Sequence, residues 1–284
     1  MSDQPAATEA FAAHRDLLFT VAYEMLGSAT DAEDVLQETW FRWVGVDLEQ
    51  VRDQRAYLVR IVTRQALNRL RTVKRRREAY VGQWLPEPLL TTPDVADDVS
   101  LAESVSMAMM LVLETLSPTE RAVFVLREVF DFSYSEIAAA VDKTPAAVRQ
   151  IAHRARRRVE ARRPREVVST AESQAALESF RRAVDTGDVQ GLLDVLAPDV
   201  VVIGDGGGVR QAALRPIVGV ENVVRYLTGT LARADGTLSA EPTVVNGGPA
   251  LAVRRDGARI TGIYYVRNPH KLSRITSATP LTLR

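Results

Sequence analysis

The stretch that decides the fold is Leu113–Val159, LETLSPTERAVFVLREVFDFSYSEIAAAVDKTPAAVRQIAHRARRRV. Three helix starts are written into it. Ser117-Pro118-Thr119-Glu120 offers a cap, a proline at the first helical position and a capping-box glutamate, and Ser133-Tyr134-Ser135-Glu136 offers a second capping box. Thr144-Pro145 opens a third helix directly after a short turn at Asp142-Lys143. Helix, helix, tight turn and basic helix is the order of a helix-turn-helix. On the last helix Val148, Ile151, Ala152, Ala155 and Val159 form an apolar stripe, and Arg149, Gln150, His153, Arg154 and Arg157 share the opposite face. A helix of this length spans about 21 Å and fits a DNA major groove. There Arg and Gln can read base edges bidentately while the other cations hold phosphates. The same pattern also fits an amphipathic surface helix whose basic face is merely solvated.

Upstream, residues 10–80 read as helical throughout. Leu17, Leu18, Val21, Ala22, Met25 and Leu26 make one buried stripe, ended by Gly27 and Ser28, and Thr30 with Glu33 is expected to cap the next helix. A third helix from about Arg55 turns Leu58, Ile61, Val62, Ala66 and Leu70 inward and an Arg-rich face outward. Opening a duplex needs cations for the strand and aromatic or polar groups for unstacked bases. Tyr57, Arg60, Arg64, Asn68, Arg71 and the run Lys74–Arg77 supply candidates, with Trp40 and Trp43 expected mainly as packing residues.

The overall charge is zero, with 36 basic and 36 acidic residues, but the distribution is uneven. Residues 1–50 are acidic, 51–80 strongly basic, 81–120 hold no Lys or Arg, and 121–166 are basic again. Two basic blocks around an acidic segment suggest two polyanion-binding units on a non-binding linker. Residues 81–105 are that linker, since their prolines cannot continue a helix; Trp84 and Leu85 are large for a free tether and suggest docking. Beyond Pro164 the pattern changes. A helix near 171–186, the run Val200–Ile203, a helix near 220–232 and strands around Asp256-Gly257 indicate a small α+β domain of antiparallel strands. The expected architecture is thus two all-α units, 1–80 and 106–165, followed by an α+β domain over 166–284.

With no cysteine, thiol catalysis and Cys-ligated zinc are excluded, and His14, His153 and His270 are too scattered to suggest a metal site. No cofactor is expected. The N-terminus lacks the features of a signal peptide, and no apolar run approaches a membrane span, so a cytoplasmic protein without membrane contact is expected.

Residues 10–80 resemble region two of the sigma-70 family of transcription initiation factors, in its small extracytoplasmic-function type. FAAHRDLLFTVAYEMLGSATDAEDVLQETWFRW (11–43) is similar to its opening and core-polymerase-binding helices, and AYLVRIVTRQALNRLRTVKRRR (56–77) to the segment that melts the −10 element. Leu113–Val159 is similar to region four, which reads the −35 element. YVGQWLPEPL (80–89), GDGGG (204–208) and NPHKL (268–272) resemble a sigma factor J-like subgroup that carries a fused SnoaL-like, cone-shaped domain. Asn68 stands where the family usually has Asp, Arg64 where many members have Asn, Val209 where the subgroup has Lys, and His270 where it has Asp.

The resemblance implies a sigma factor that binds core RNA polymerase and promoter DNA and is not an enzyme. Asp31, Glu33, Asp34, Gln37, Glu38 and Phe41 would face polymerase. Tyr57, Arg60, Arg64, Asn68, Arg71 and Lys74 would face the −10 strand, and Arg149, Gln150, His153, Arg154 and Arg157 the −35 duplex. The C-terminal domain would control activity in cis. Trp84, Pro86, Asp205, Gly206, Gly207, Gly208, Asn268, Pro269 and Lys271 are expected where that domain meets the linker, although three glycines and an Asn-Pro pair are also ordinary turn formers. Two rivals stay open. One is a C-terminal domain hosting an acid–base site or small-molecule ligand, for which Asp205, Glu221 and His270 are available. The other is a helix-turn-helix belonging to a simple repressor, which would need neither the acidic helix nor the first basic block.

Overall fold

A computed structural model describes residues 3–92, 95, 98–162, 170–231, 244–246, 248–249, 252–256, 259–272 and 278–283. The first unit is three helices, α1 (Asp3–Leu26), α2 (Ala29–Trp43) and α3 (Gln54–Glu78). Gly27 ends α1 in a left-handed conformation (φ 65°) that favours glycine. The cap of α2 is then Ser28, whose Oγ accepts from Asp31 N at 3.1 Å, rather than Thr30. Thr30 lies one residue inside the helix, and its N–H donates to Glu87 Oε2 at 3.1 Å. Trp43 is fully buried and donates from Nε1 to Ala7 O at 2.8 Å, while Trp40 meets Phe11 edge-on at 5.3 Å. Both tryptophans are packing residues. Leu58, Val62, Ala66 and Leu70 of α3 are buried as their spacing predicts; Ile61 is only half-buried, at the lip of a cleft.

The second helical series is α4 (Val99–Val105), α5 (Met107–Leu113), α6 (Pro118–Phe124), a π-helical turn at Val125–Val129, α7 (Tyr134–Val141) and α8 (Pro145–Glu160). Both expected capping boxes form, at Ser117/Glu120 and Ser133/Glu136. Helix α4 occupies the last seven residues of the segment read as linker. The two helical units are not separate beads. Val21, Met25, Leu36 and Leu58 from the first and Met110, Val123, Ile137 and Val148 from the second belong to one continuous apolar cluster, joined by Leu89 of the linker and Leu281 near the C-terminus.

The C-terminal domain has helices α9 (Thr170–Thr186), α10 (Val189–Val195) and α11 (Val220–Leu231) on a four-stranded sheet. Its strands are β1 (Leu196–Asp205), β2 (Ile217–Val218), β5 (Ala252–Asp256) and β6 (Arg259–Val266), ordered β2-β1-β6-β5. Strands β3 (Val244–Val245) and β4 (Gly248–Pro249) pair separately. The sheet is not wholly antiparallel as expected: its central pair, β1 and β6, is parallel. The hairpin strands β5 and β6 pair through Asp256↔Arg259, while Gly257 of the expected turn and the interdomain Pro164 lie outside the described residues. The parallel register sets Asp205 opposite Val266, so GDGGG and NPHKL leave the sheet at the same end. Among the described residues no helix is long and apolar enough to cross a membrane.

Candidate nucleic-acid interface and interdomain junction

Thr144 caps α8 by accepting from Ala147 N at 3.2 Å, and Asp142 supplies the left-handed turn residue (φ 55°) ahead of it. Val148, Ile151, Ala152, Ala155 and Val159 are buried, and Arg149, Gln150, His153, Arg154 and Arg157 all stand exposed. The neighbouring arginines do different work. Arg156 forks onto Glu128 (Nη2–Oε1 2.6 Å, Nε–Oε2 3.1 Å), and Arg158 reaches Glu120 Oε2 at 2.7 Å. Those two pairs pin the helix to the body and leave Arg149, Gln150, His153, Arg154 and Arg157 presented to solvent.

On α3, Tyr57, Arg60 and Arg64 line a cleft of about 190 Å³ together with Arg42, Val46, Ile61 and Gln65. The Tyr57 ring rests against Trp43 (5.9 Å) and under the Arg60 guanidinium (4.5 Å). Asn68 and Arg71 lie further along, joined by a 3.2 Å bond from Arg71 Nη1 to Asn68 Oδ1. The Lys74 side chain lies outside the described residues. Helix α7 closes over part of this face. Arg64 Nη2 donates to Ala139 O at 2.9 Å, and the Arg55 guanidinium lies over Phe132, on the turn before α7, at 4.7 Å.

The acidic face of α2 is divided. Phe41 is 73% exposed, and Gln37 and Glu38 are exposed beside it. Asp31 and Asp34 are instead held by Arg69, which donates from Nε to Asp31 Oδ1 at 2.7 Å and from Nη2 to Asp34 Oδ2. Glu33 takes Arg15 Nη2 at 2.9 Å. Asp31, with its side chain only 14% exposed, is therefore an internal partner and not the open acid its position suggests.

The expected junction residues converge. Asp205, fully buried at the end of β1, accepts from Tyr80 Oη (2.6 Å), Leu85 N (2.9 Å) and Lys271 Nζ (2.7 Å). Lys271 Nζ also donates to Leu85 O at 2.5 Å and lies over the rings of Trp84 (4.2 Å) and Tyr80 (4.8 Å). Burial pushes the Lys271 ammonium down to about 8 against the pull of Asp205. Asn268 Nδ2 donates to Tyr80 Oη at 2.7 Å, while its Oδ1 accepts from His270 N at 3.1 Å and so starts the turn at Pro269. Gly207 (φ 61°) cannot be replaced without strain, because a Cβ there would run into the Asn268 amide; at Gly206 it would strike Arg210 O. Gly208 (φ 72°) backs onto Val81, and Pro86 is buried. The motifs form turns and also form the contact.

Sequence reasoning missed the continuation inward. Arg77 lies over the Trp84 ring at 3.4 Å, pairs with Glu114 and donates to Leu26 O. Glu114 also takes Arg121. Burial would raise the Glu114 carboxyl, but the two guanidinium groups outweigh it and hold it below the usual range. Glu87 adds a tie to α2 by accepting from Ser28 Oγ at 2.8 Å. Asn246 bonds Tyr23 Oη (2.7 Å), Val105 O (2.8 Å) and Leu89 N (2.8 Å). Tyr80, Trp84 and Glu87 lie inside YVGQWLPEPL, the stretch that the sequence singles out for this junction. As an acid–base candidate Asp205 is overturned: three donors and complete burial leave it no access to a substrate. Glu221 and His270 are exposed.

The profile described as "Sigma-70 region 2" matches residues 10–76, and that described as "Sigma-70, region 4" matches 106–159. The ECF RNA polymerase sigma factor SigJ of Mycobacterium tuberculosis is 35% identical across 93% of this chain and 92% of its own length. The probable ECF RNA polymerase sigma factor SigI of the same species is 34% identical across 70% of each. The crystal structure of the M. tuberculosis SigJ protein superposes with a TM-score of 0.77 at 30% identity, covering 94% of this chain and 98% of that one.

Proposed function

The chain belongs to the ECF RNA polymerase sigma factors of the sigma-70 family, and from that premise we propose how its parts divide the work of promoter-specific transcription initiation. Proteins of this family are transcription factors, not enzymes. In our reading the protein works in the cytoplasm as a partner of core RNA polymerase. Helix α8 reads the −35 duplex through Arg149, Gln150, His153, Arg154 and Arg157. The cleft at Tyr57, Arg60 and Arg64 receives an unstacked base of the −10 strand, with Asn68, Arg71 and Lys74 along the backbone beyond it. Tyr57 offers a ring for stacking, and the guanidinium groups offer charge for phosphate. Gln37, Glu38 and Phe41 present the polymerase-binding surface.

The C-terminal domain controls this activity in cis. The observation that carries this part is Asp205, a buried carboxylate of the C-terminal domain satisfied by Tyr80 at the end of the first helical unit and Leu85 of the linker. The contact of α7 with Arg64 supports a free chain held closed, in which region four must leave α3 before the cleft can take DNA.

In vitro transcription with core polymerase on the promoter of the chain's own gene tests both parts. The unaltered chain should start specific transcripts, and Arg60→Ala should reduce them. Asp205→Asn should change the yield while leaving the affinity for isolated −35 duplex as it was. Identical transcript yields with and without Asp205→Asn would reject control through the junction.

A further inference from the structure

The stripe of acids on α2 and the side chains facing it on α3 are in register. Asp31, Asp34 and Glu38 recur at three and four residues and share one side of α2. Opposite them Gln65 and Arg69, one turn apart on α3, take all three. Arg69 reaches Asp31 (2.7 Å) and Asp34, and its Nη1 lies 4.0 Å from Glu38 Oε1; Gln65 Nε2 donates to Glu38 Oε2 at 3.1 Å. Burial alone would lower the Arg69 pKa, but the two aspartates more than offset that and raise it. Gln65 also lines the α3 cleft, so the ladder and the cleft share a wall. Turning α3 about its axis would carry Tyr57, Arg60 and Arg64 away from α2 and break the ladder first.

We propose that Arg69 is a positioning residue for promoter opening: by clamping Asp31 and Asp34 it fixes the rotation of α3, so that strand capture in the cleft is braced against the helix that holds polymerase. Melting a duplex draws on the energy of base capture, and that energy is lost if the capturing helix can yield. Arg69 itself need not touch DNA. Arginine suits the role because its planar fork meets two carboxylates at once, whereas lysine is a single point of charge. The inference rests on assigning the cleft to the −10 strand, and the experiment separates the two claims.

Three full-length variants, Arg69→Ala, Arg69→Lys and Arg60→Ala, would be assembled with core polymerase on the promoter of the chain's own gene. Assembly is followed by fluorescence anisotropy, opening of the duplex by permanganate reactivity of unpaired thymines, and productive capture on a template with a preopened −10 bubble by transcript yield. For Arg69→Ala we expect assembly within about twofold of the unaltered chain, duplex opening reduced about tenfold, and most of that loss recovered on the bubble. Arg69→Lys should fall between. Arg60→Ala, which lines the cleft itself, should stay impaired on the bubble.

Opening lost in proportion to assembly, or no recovery on the bubble, would reduce Arg69 to a fold or polymerase-binding residue and overturn the proposal. So would unchanged opening in Arg69→Ala beside a defective Arg60→Ala. If Arg60→Ala is itself without effect, the assignment of the cleft fails. Should Arg69→Ala not fold, Arg69→Lys decides alone: assembly retained with opening about threefold lower supports the proposal, and full opening overturns it.

Discussion

Helix α8 and the junction around Asp205 are both built from charged residues, and they use charge in opposite ways. On α8 the cations stand on the surface of a helix that is itself braced by other ion pairs. At the junction Asp205, Lys271, Arg77, Glu114 and Arg121 are largely removed from water and fastened to one another or to backbone carbonyls. A solvated cation can be given to a phosphate, since its partner in the free state is water. A buried one cannot be given away without leaving its counter-ion stranded. The surface helix is therefore suited to binding something else, and the junction to holding the chain's own parts together.

The sharpest way to break this contrast is to strand one junction charge. Asp205→Ala leaves the Lys271 ammonium, the Tyr80 hydroxyl and the Leu85 N–H without their common acceptor. Removing one member of a buried pair costs about 3–5 kcal/mol. Calorimetry should show the loss, and protease should cut the linker earlier than in the unaltered chain. Adding Lys271→Met should return part of the stability, because the stranded charge is gone. Two fully additive losses would mean that the two groups are not coupled.

A pH titration sharpens the contrast next. Glu24 on α1 is wholly buried against Ser104 of α4 and near Arg121 of α6; Ser104 Oγ donates to its Oε1 at 2.8 Å, and its Oε2 has no hydrogen-bond partner among the described residues. Burial pushes its carboxyl up from 4.5 to about 7. The folded chain thus holds this proton more tightly than the unfolded chain. The resulting stabilisation is full below about pH 4.5 and is lost as pH rises through 7, a total of about 3 kcal/mol. Glu24→Gln should remove that slope and melt at higher temperature than the parent at pH 8. A melting profile across pH 5–8.5 that keeps its slope in the variant would show that Glu24 is not its source.

These two regions also mark how far the sequence could be read. The helix-turn-helix was legible because its signals are local: caps, prolines and a 3.6-residue stripe all fall within Leu113–Val159. Which side chains share its exposed basic face followed from the same periodicity. The junction motifs were legible only through their resemblance to a subgroup, since nothing in the spacing of Asp205, Asn268 and Tyr80 makes them meet. Arg77 was hidden altogether. It closes the basic run Lys74–Arg77, and composition cannot say that the last member turns inward onto Trp84 and Glu114. The shared core of the two helical units was missed for a similar reason. An acidic, proline-containing segment reads as a spacer that docks at most through Trp84 and Leu85, yet Leu89 within it is fully buried in that shared core. The parallel pairing of β1 and β6 joins strands more than fifty residues apart, beyond the reach of any hairpin rule.

The finest division lies within α8 itself, between Arg154 and Arg156. Two residues apart, both exposed and both cationic, they would be equivalent if charge alone mattered. Arg156 is already engaged by Glu128 on the π-helical turn, whereas Arg154 lies on the exposed face with Arg157 and Gln150 that we propose reads DNA. Arg154→Ala should weaken promoter binding by the holoenzyme by about 1–3 kcal/mol and reduce the salt slope by about one phosphate contact. Arg156→Ala should cost about 0.2–1 kcal/mol of stability, the worth of an exposed pair, and leave the slope unchanged. Affinity titrations between 50 and 200 mM salt, the range over which phosphate contacts weaken most visibly, would separate the two. Equal slopes for the two variants would mean that Glu128 releases Arg156 when DNA arrives. The boundary between bracing and reading charges would then shift on binding and could not be drawn from the free chain.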